Sequence, residues 1–247
     1  MRNILGIVLF ALVGVSNAAP VVYTDKDLYL AGLDSLGYSV ISESFEDNTI
    51  WSTSRDKGIP SIVSQGIQWT SNYTENNIST GTVGGSVLDG SYAFYSNPHG
   101  MLIDSGPYCD SAGDPLPIQC YQNDGFKIQS ESGKKLYAMA GHISSNTGTP
   151  KVTFILDGVD IKGNNTDNVE NWQREGYAVS SWSFIGVIDQ DGFVTAEIRE
   201  LTGKDSQQQL MFSDDFTIGV SNVPLPTAFW LFATGVFVLL GRKKRSV

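Results

Sequence analysis

The sequence predicts an all-β body, an antiparallel β-sandwich of jelly-roll type, set between an N-terminal signal peptide and a C-terminal hydrophobic helix. Three observations predict it. About ten short segments between residues 19 and 222 are rich in β-branched and aromatic residues and tend to alternate apolar with polar. The breaks between them carry many of the 26 glycines, together with Asn, Asp and Ser, the residues that favour turns. Helical periodicity is absent from that region apart from one short stretch, Asp25 to Leu36.

The elements follow in chain order. Residues 1–18 have the parts of a secretory signal: Arg2, an apolar run from Ile4 to Val15, and the small residues Ser16 and Ala18 flanking Asn17. As a helix that run reaches about 18 Å, against about 30 Å of hydrocarbon, so it does not make a lasting span. Cleavage is expected after Ala18. Thr24 or Asp25 then caps a short amphipathic helix carrying Leu28, Leu33 and Leu36. Strands are expected at Tyr38 to Phe45, Gly66 to Thr70, Tyr92 to Tyr95, Phe126 to Gln129 and Lys135 to Ile143. Lys151 to Leu156 leads through an Asp157-Gly158 hairpin turn into Val159 to Ile161. Trp182 to Ile188, Phe193 to Arg199 and Leu210 to Val220 complete the series. Asn164 to Gly176 is polar and reads as a loop.

Composition bounds the function. The 247 residues are 41% hydrophobic and 17% charged, enough apolar material for one core. All 26 acidic residues lie between 19 and 222, where only 11 of the 16 basic ones fall, so the body carries -15. That argues against nucleic acid, whose phosphates need clustered Lys and Arg. The two cysteines, Cys109 and Cys120, form an even count in an exported chain, which favours a disulfide. Closing a loop of about 12 residues contributes roughly 3 kcal/mol.

At the far end Val223-Pro224-Leu225-Pro226 breaks the chain, an apolar run follows from Thr227 to Gly241, and Arg242-Lys243-Lys244-Arg245 comes next. The run reaches about 22 Å as a helix, short for a stable span. The basic cluster stays cytoplasmic under the positive-inside rule and leaves the body outside. With Trp230-Leu231-Phe232 and Gly235, this tail resembles a PEP-CTERM sorting signal in its VPLPA-CTERM variant. It departs from the pattern at Leu225, where the parent form has glutamate, and at Thr227, where the variant has alanine. The resemblance implies export by the Sec machinery, transient anchoring in the inner membrane with Arg242 to Arg245 as the stop, and cutting near Val223 to Pro226 by an exosortase-type protease. The product would be released from, or attached to, the surface of a Gram-negative bacterium.

The body carries a second resemblance. Glu43-Ser44-Phe45-Glu46-Asp47 near its start, Phe212 to Gly219 near its end, and Gly90 to Phe94 between them are similar to strands of galactose-binding-like jelly rolls, including carbohydrate-binding modules. The resemblance implies that first and last strands are neighbours and that their acids hold a structural calcium. Glu46 and Asp215 are the leading ligands, with Glu43 and Asp214 next. Calcium suits such hard oxygen donors.

Catalysis finds no signature. His99 and His142 each stand alone, and there is no nucleophile elbow, H-E-x-x-H or P-loop. Sugars pack on exposed aromatic rings, which brings in Trp51, Trp69, Trp172 and Trp182. Trp172, in a polar stretch, and Tyr73 are the leading glycan contacts. Two functions remain: a non-catalytic surface or extracellular-matrix protein that binds polysaccharide, and a secreted polysaccharide-active hydrolase. Intact-mass analysis of the exported protein should find a chain that starts at Ala19, ends within Val223 to Pro226 and lacks the two thiol hydrogens of Cys109 and Cys120. A mature chain of unchanged mass after Pro224→Ala and Pro226→Ala together would overturn the reading of the tail.

Overall fold

The computed structural model describes residues 19–82, 87–98, 101–103, 120–145, 151–161, 176–178, 181–201 and 211–221. The signal peptide, Cys109, His99, Trp172 and the sorting tail lie outside the described residues. Among the described residues no helix is long and apolar enough to cross a membrane. The chain runs through β1 (Val21–Tyr23), α1 (Lys26–Ser35), β2 (Tyr38–Glu43), the short α2 (Asn48–Trp51) and a 3-10 turn (Ser52–Ser54). Then come β3 (Ser61–Ser64), β4 (Ile67–Ser71), β5 (Asn77–Gly81), β6 (Ala93–Asn97), β7 (Met101–Ile103) and β8 (Cys120–Gln122). The second half holds β9 (Gly125–Ser130), β10 (Leu136–Ser145), β11 (Lys151–Leu156), β12 (Val159–Asp160), β13 (Tyr177–Ala178), β14 (Ser183–Phe193), β15 (Thr195–Glu200) and β16 (Met211–Ser221).

Two antiparallel sheets make the sandwich. One has the order β1-β14-β10-β16-β6-β5, with β2 also on β16. There β6 meets β16 at Ser213, and β2 runs beside it from Phe216 to Ser221. The other sheet has the order β12-β11-β15-β9-β4-β3, with β13 on β11. Strands β7 and β8 pair separately. The first and last long strands are neighbours, as the jelly-roll resemblance implied: Glu43 pairs with Phe216.

The space between the sheets is filled by rings. Phe45, Trp51, Trp69, Phe94, Phe126 and Phe216 are all buried. Their centroids lie close, at 4.9 Å for Phe45 and Trp51, 5.1 Å for Phe94 and Phe126, and 5.4 Å for Trp69 and Phe216. Most pairs are edge-to-face, the arrangement ring quadrupoles favour, worth about 1 kcal/mol each beyond burial. Trp51 and Trp69, sequence candidates for sugar stacking, are therefore core residues that no sugar reaches.

Helix α1 covers the outer face of the first sheet. Asp25 caps it by accepting from the Leu28 amide at 2.9 Å. Gly37, at φ +70°, ends it. The buried stripe is Tyr29 and Leu33, four residues apart; of the expected leucines Leu33 is buried, and Leu28 and Leu36 are not. Leu28 is 64% exposed and Leu36 37%. Tyr29 wins because the sheet offers it a flat seat. Ala138, Ala140, Gly186 and Gly219 lie beneath it and Leu33, and the Tyr29 hydroxyl donates to Thr217 O at 3.0 Å. A Cβ on Gly186 would come within 3.0 Å of the Tyr29 ring.

The β10–β16 pairing slips between Ala140 and His142, and at that bulge Asp215 adopts φ +50°. Gly141 sits opposite. A Cβ there would stand 2.6 Å from two ring carbons of Phe216, whose ring is locked in the aromatic core. Gly141→Ala should therefore destabilise the body by about 2 kcal/mol, since overpacking a filled core forces rings off their rotamers. Urea unfolding of the variant checks this; an unchanged midpoint would mean that the ring has room to move.

Candidate functional site

The acids named from the jelly-roll resemblance do not meet at one point. Glu43 is buried. Its Oε1 accepts from the Phe45 amide at 2.8 Å and the Trp51 indole at 3.1 Å, and its Oε2 accepts a short bond from the Ser64 hydroxyl. Asp214 is also buried; it accepts from the amides of Asp215 at 2.8 Å and Asp89 at 3.2 Å. Burial pushes its carboxyl up to about 6. Glu46 Oε1 accepts from the amides of Ser91 and Tyr92, each at 2.8 Å. The Glu46 side chain lies where a Cβ on Gly90 would stand, which is why glycine occupies that position, at φ +66°. Glu46 and Asp214 thus grip one loop, Asp89 to Tyr92. The bulge turns Asp215 away from it, onto the Lys26 ammonium at 2.5 Å, with the His142 Nδ1 at 3.5 Å. Among the described residues no group of three or more His, Cys, Asp or Glu is placed to hold a metal ion.

The Lys26–Asp215–His142 group fastens α1 to the sheet. Burial lowers the His142 pKa, which keeps the ring neutral at pH 7. The ring stacks edge-on against Phe184 at 5.4 Å.

Tyr73 lies in the turn after β4 and is half-buried. Burial raises its pKa, and its hydroxyl bonds the Asn123 side chain beside Arg199 and Glu197. It pins the turn. Trp182 is half-buried too, at φ +51° just before β14.

A concave feature among the described residues lies at one end of the sandwich, between the sheets. It is a cleft of about 480 Å³. Ile41, Ile67, Leu136 and Val220 make its apolar floor. Gln65, Ser130, Ser132 and Ser221 supply hydroxyls and an amide at the rim, with Lys134, Lys135 and Tyr137 beside them. No carboxylate lines it. The walls are tied together. Gln65 and Gly66, at φ +52° and +78°, make the tight turn between β3 and β4. The Gln65 side-chain amide donates to Ser42 O at 2.6 Å, which bridges the two sheets. The Glu131 amide donates to Gly66 O at 3.0 Å, and Lys135 Nζ to Asp191 O at 2.6 Å. Tyr137 stands at a second bulge and stacks on Tyr38 with centroids 5.0 Å apart and planes 28° apart.

None of these cleft residues was singled out from the sequence. The available signals were modest. Gln65-Gly66 is a turn dipeptide, Lys134-Lys135 is an isolated basic pair, and Tyr38 and Tyr137 each open a strand just after a turn.

An apolar floor with a polar rim is the usual make-up of a small-molecule site. Comparison with known proteins does not place the chain in a family. No family model and no curated protein matches it. Two solved structures are similar. One is the CBM22-1 xylan-binding domain from Paenibacillus barcinonensis Xyn10C, with 11% identity and a TM-score of 0.41 over 76% of this chain and 98% of that one. The other is TmCBM61 in complex with beta-1,4-galactotriose, with 11% identity and a TM-score of 0.26 over 71% of this chain and 97% of that one. At these TM-scores the likeness carries no functional weight.

Glu43 itself is testable. Glu43→Ala strands three donors, the Phe45 amide, the Trp51 indole and the Ser64 hydroxyl, in a dry interior. The loss should be about 3 kcal/mol or more. Denaturant unfolding that shows less than about 1 kcal/mol would mean that water reaches the site.

Proposed function

We propose that this chain is an exported, non-catalytic β-sandwich that binds polysaccharide in its end cleft. The cleft carries the reading. A pyranose ring has apolar C–H faces and a hydroxyl edge, and the cleft pairs an apolar floor with a rim of hydroxyl, amide and ammonium donors. The alternative, a polysaccharide-active hydrolase, needs two carboxylates flanking the scissile bond. The lining offers none, which favours binding over cleavage. Export through the Sec machinery and processing by an exosortase-type protease belong to the same proposal and rest on residues 1–18 and 223–247. They place the body at the cell surface or beyond it.

Calcium belongs to this proposal only at Glu46 and Asp214, the two acids that grip one loop. Hard carboxylate oxygens suit the ion. There it would brace the loop Asp89 to Tyr92 in a body charged -15. Thermal melts should move up with calcium and down with chelator; no shift at millimolar calcium removes both residues from the site.

The binding reading is tested by filling the cleft. Ser132 is exposed at the rim, so Ser132→Trp should fold normally and obstruct the mouth. Affinity for oligosaccharides retained by the wild type should fall about tenfold or more, equal to about 1.4 kcal/mol. Unchanged binding at an unchanged Tm would move the site away from the cleft.

A further inference from the structure

The cleft has a charge that its body lacks. Lys134-Lys135 is the only pair of adjacent basic residues between positions 19 and 222. In a region with 26 acidic and 11 basic residues, that pair sits on the rim of this cleft. Two other cations in the body are engaged: Lys26 by Asp215, and Arg55 by Phe45 O at 2.6 Å and the Tyr92 ring at 3.4 Å. The Lys134 ammonium is exposed and has no ion-pair partner among the described residues. Lys135 donates to the Asp191 carbonyl, which fixes its position, and its charge also acts on the Asp189 carboxylate. The nearby acids, Glu131, Asp189 and Asp191, all lie outside the lining.

From this we infer that the cleft takes an acidic sugar, a uronate whose carboxylate meets Lys134 and Lys135 while its ring lies on the apolar floor. The inference rests on the glycan-binding reading and narrows its ligand. The floor decides against a bare inorganic anion, which gains nothing from Ile41, Ile67 and Val220. The Lys134 ammonium decides against a neutral sugar, which would leave its charge unpaired.

The test compares two sugars of one linkage that differ only at C6, a β-1,4-mannuronate tetramer and β-1,4-mannotetraose. Each is titrated into the full chain, carried in detergent, by calorimetry. The mannuronate should bind about fivefold more tightly or better, the gain expected of a partly exposed charge pair. Lys134→Gln should erase most of that preference. Equal affinity for both sugars, untouched by Lys134→Gln, overturns the acidic ligand and leaves the glycan reading standing. Potassium phosphate binding as tightly as the mannuronate overturns it too, because the cleft would then read charge without a ring. If neither sugar binds, the glycan reading falls and takes this inference with it.

Discussion

The sandwich closes on one buried carboxylate. Glu43 ends β2, in the first sheet, and receives the Ser64 hydroxyl from β3, in the second. The same group takes the indole of Trp51 and the amide of Phe45. A carboxyl group in a dry interior is tolerated only when its polar atoms are met, and here three donors from three segments meet them. Much else follows from that arrangement. Phe45 is turned to φ +62° and thereby enters the core, where it contacts Trp51, Trp69, Phe94 and Phe216. The β3–β4 turn is brought against β2, so that Gln65 can reach Ser42 and close one wall of the cleft.

The long strands were legible because burial on alternate faces leaves a period of two in the sequence. Strands β9, β10, β11 and β16 fall within a residue or two of their expected limits. The Asp157-Gly158 turn was legible for a local reason: both residues take positive φ, at +48° and +84°, which that dipeptide favours. The missed strands are short or polar. Strand β5, Asn-Ile-Ser-Thr-Gly, looks like a loop, yet Ser79 and Thr80 are fully buried. Its burial comes from long-range packing that no local window records. The same limit explains α1, where the leucine stripe was misjudged because the small residues that seat Tyr29 come from β10, β14 and β16.

The site was less legible than the fold. The sequence paired Glu46 with Asp215, one on each terminal strand region, and the strands do meet. A single bulge then decides which of two adjacent aspartates faces the loop, and it turns Asp214 inward and Asp215 toward Lys26. An irregularity of one residue leaves no mark in composition or period. The cleft is harder still to foresee. It is assembled from β2, β4, β10, β16 and two turns, so its residues are scattered across 181 positions, from Ile41 to Ser221.

The register of the first sheet also gives the body a direction. Val21 pairs with Ile188, Ile188 with Ala138, and Ala138 with Gly219, so the chain enters and leaves the sheet at one end. Val220 and Ser221 both line the cleft, and Val223 follows within about 7 Å of chain. Were the body tethered through those residues, the cleft would open on the tethered side. A polymer held there would thread between the body and its attachment, like a cable under a clip. Were the tail cut as proposed, the length of chain left would set how thick a strand can pass.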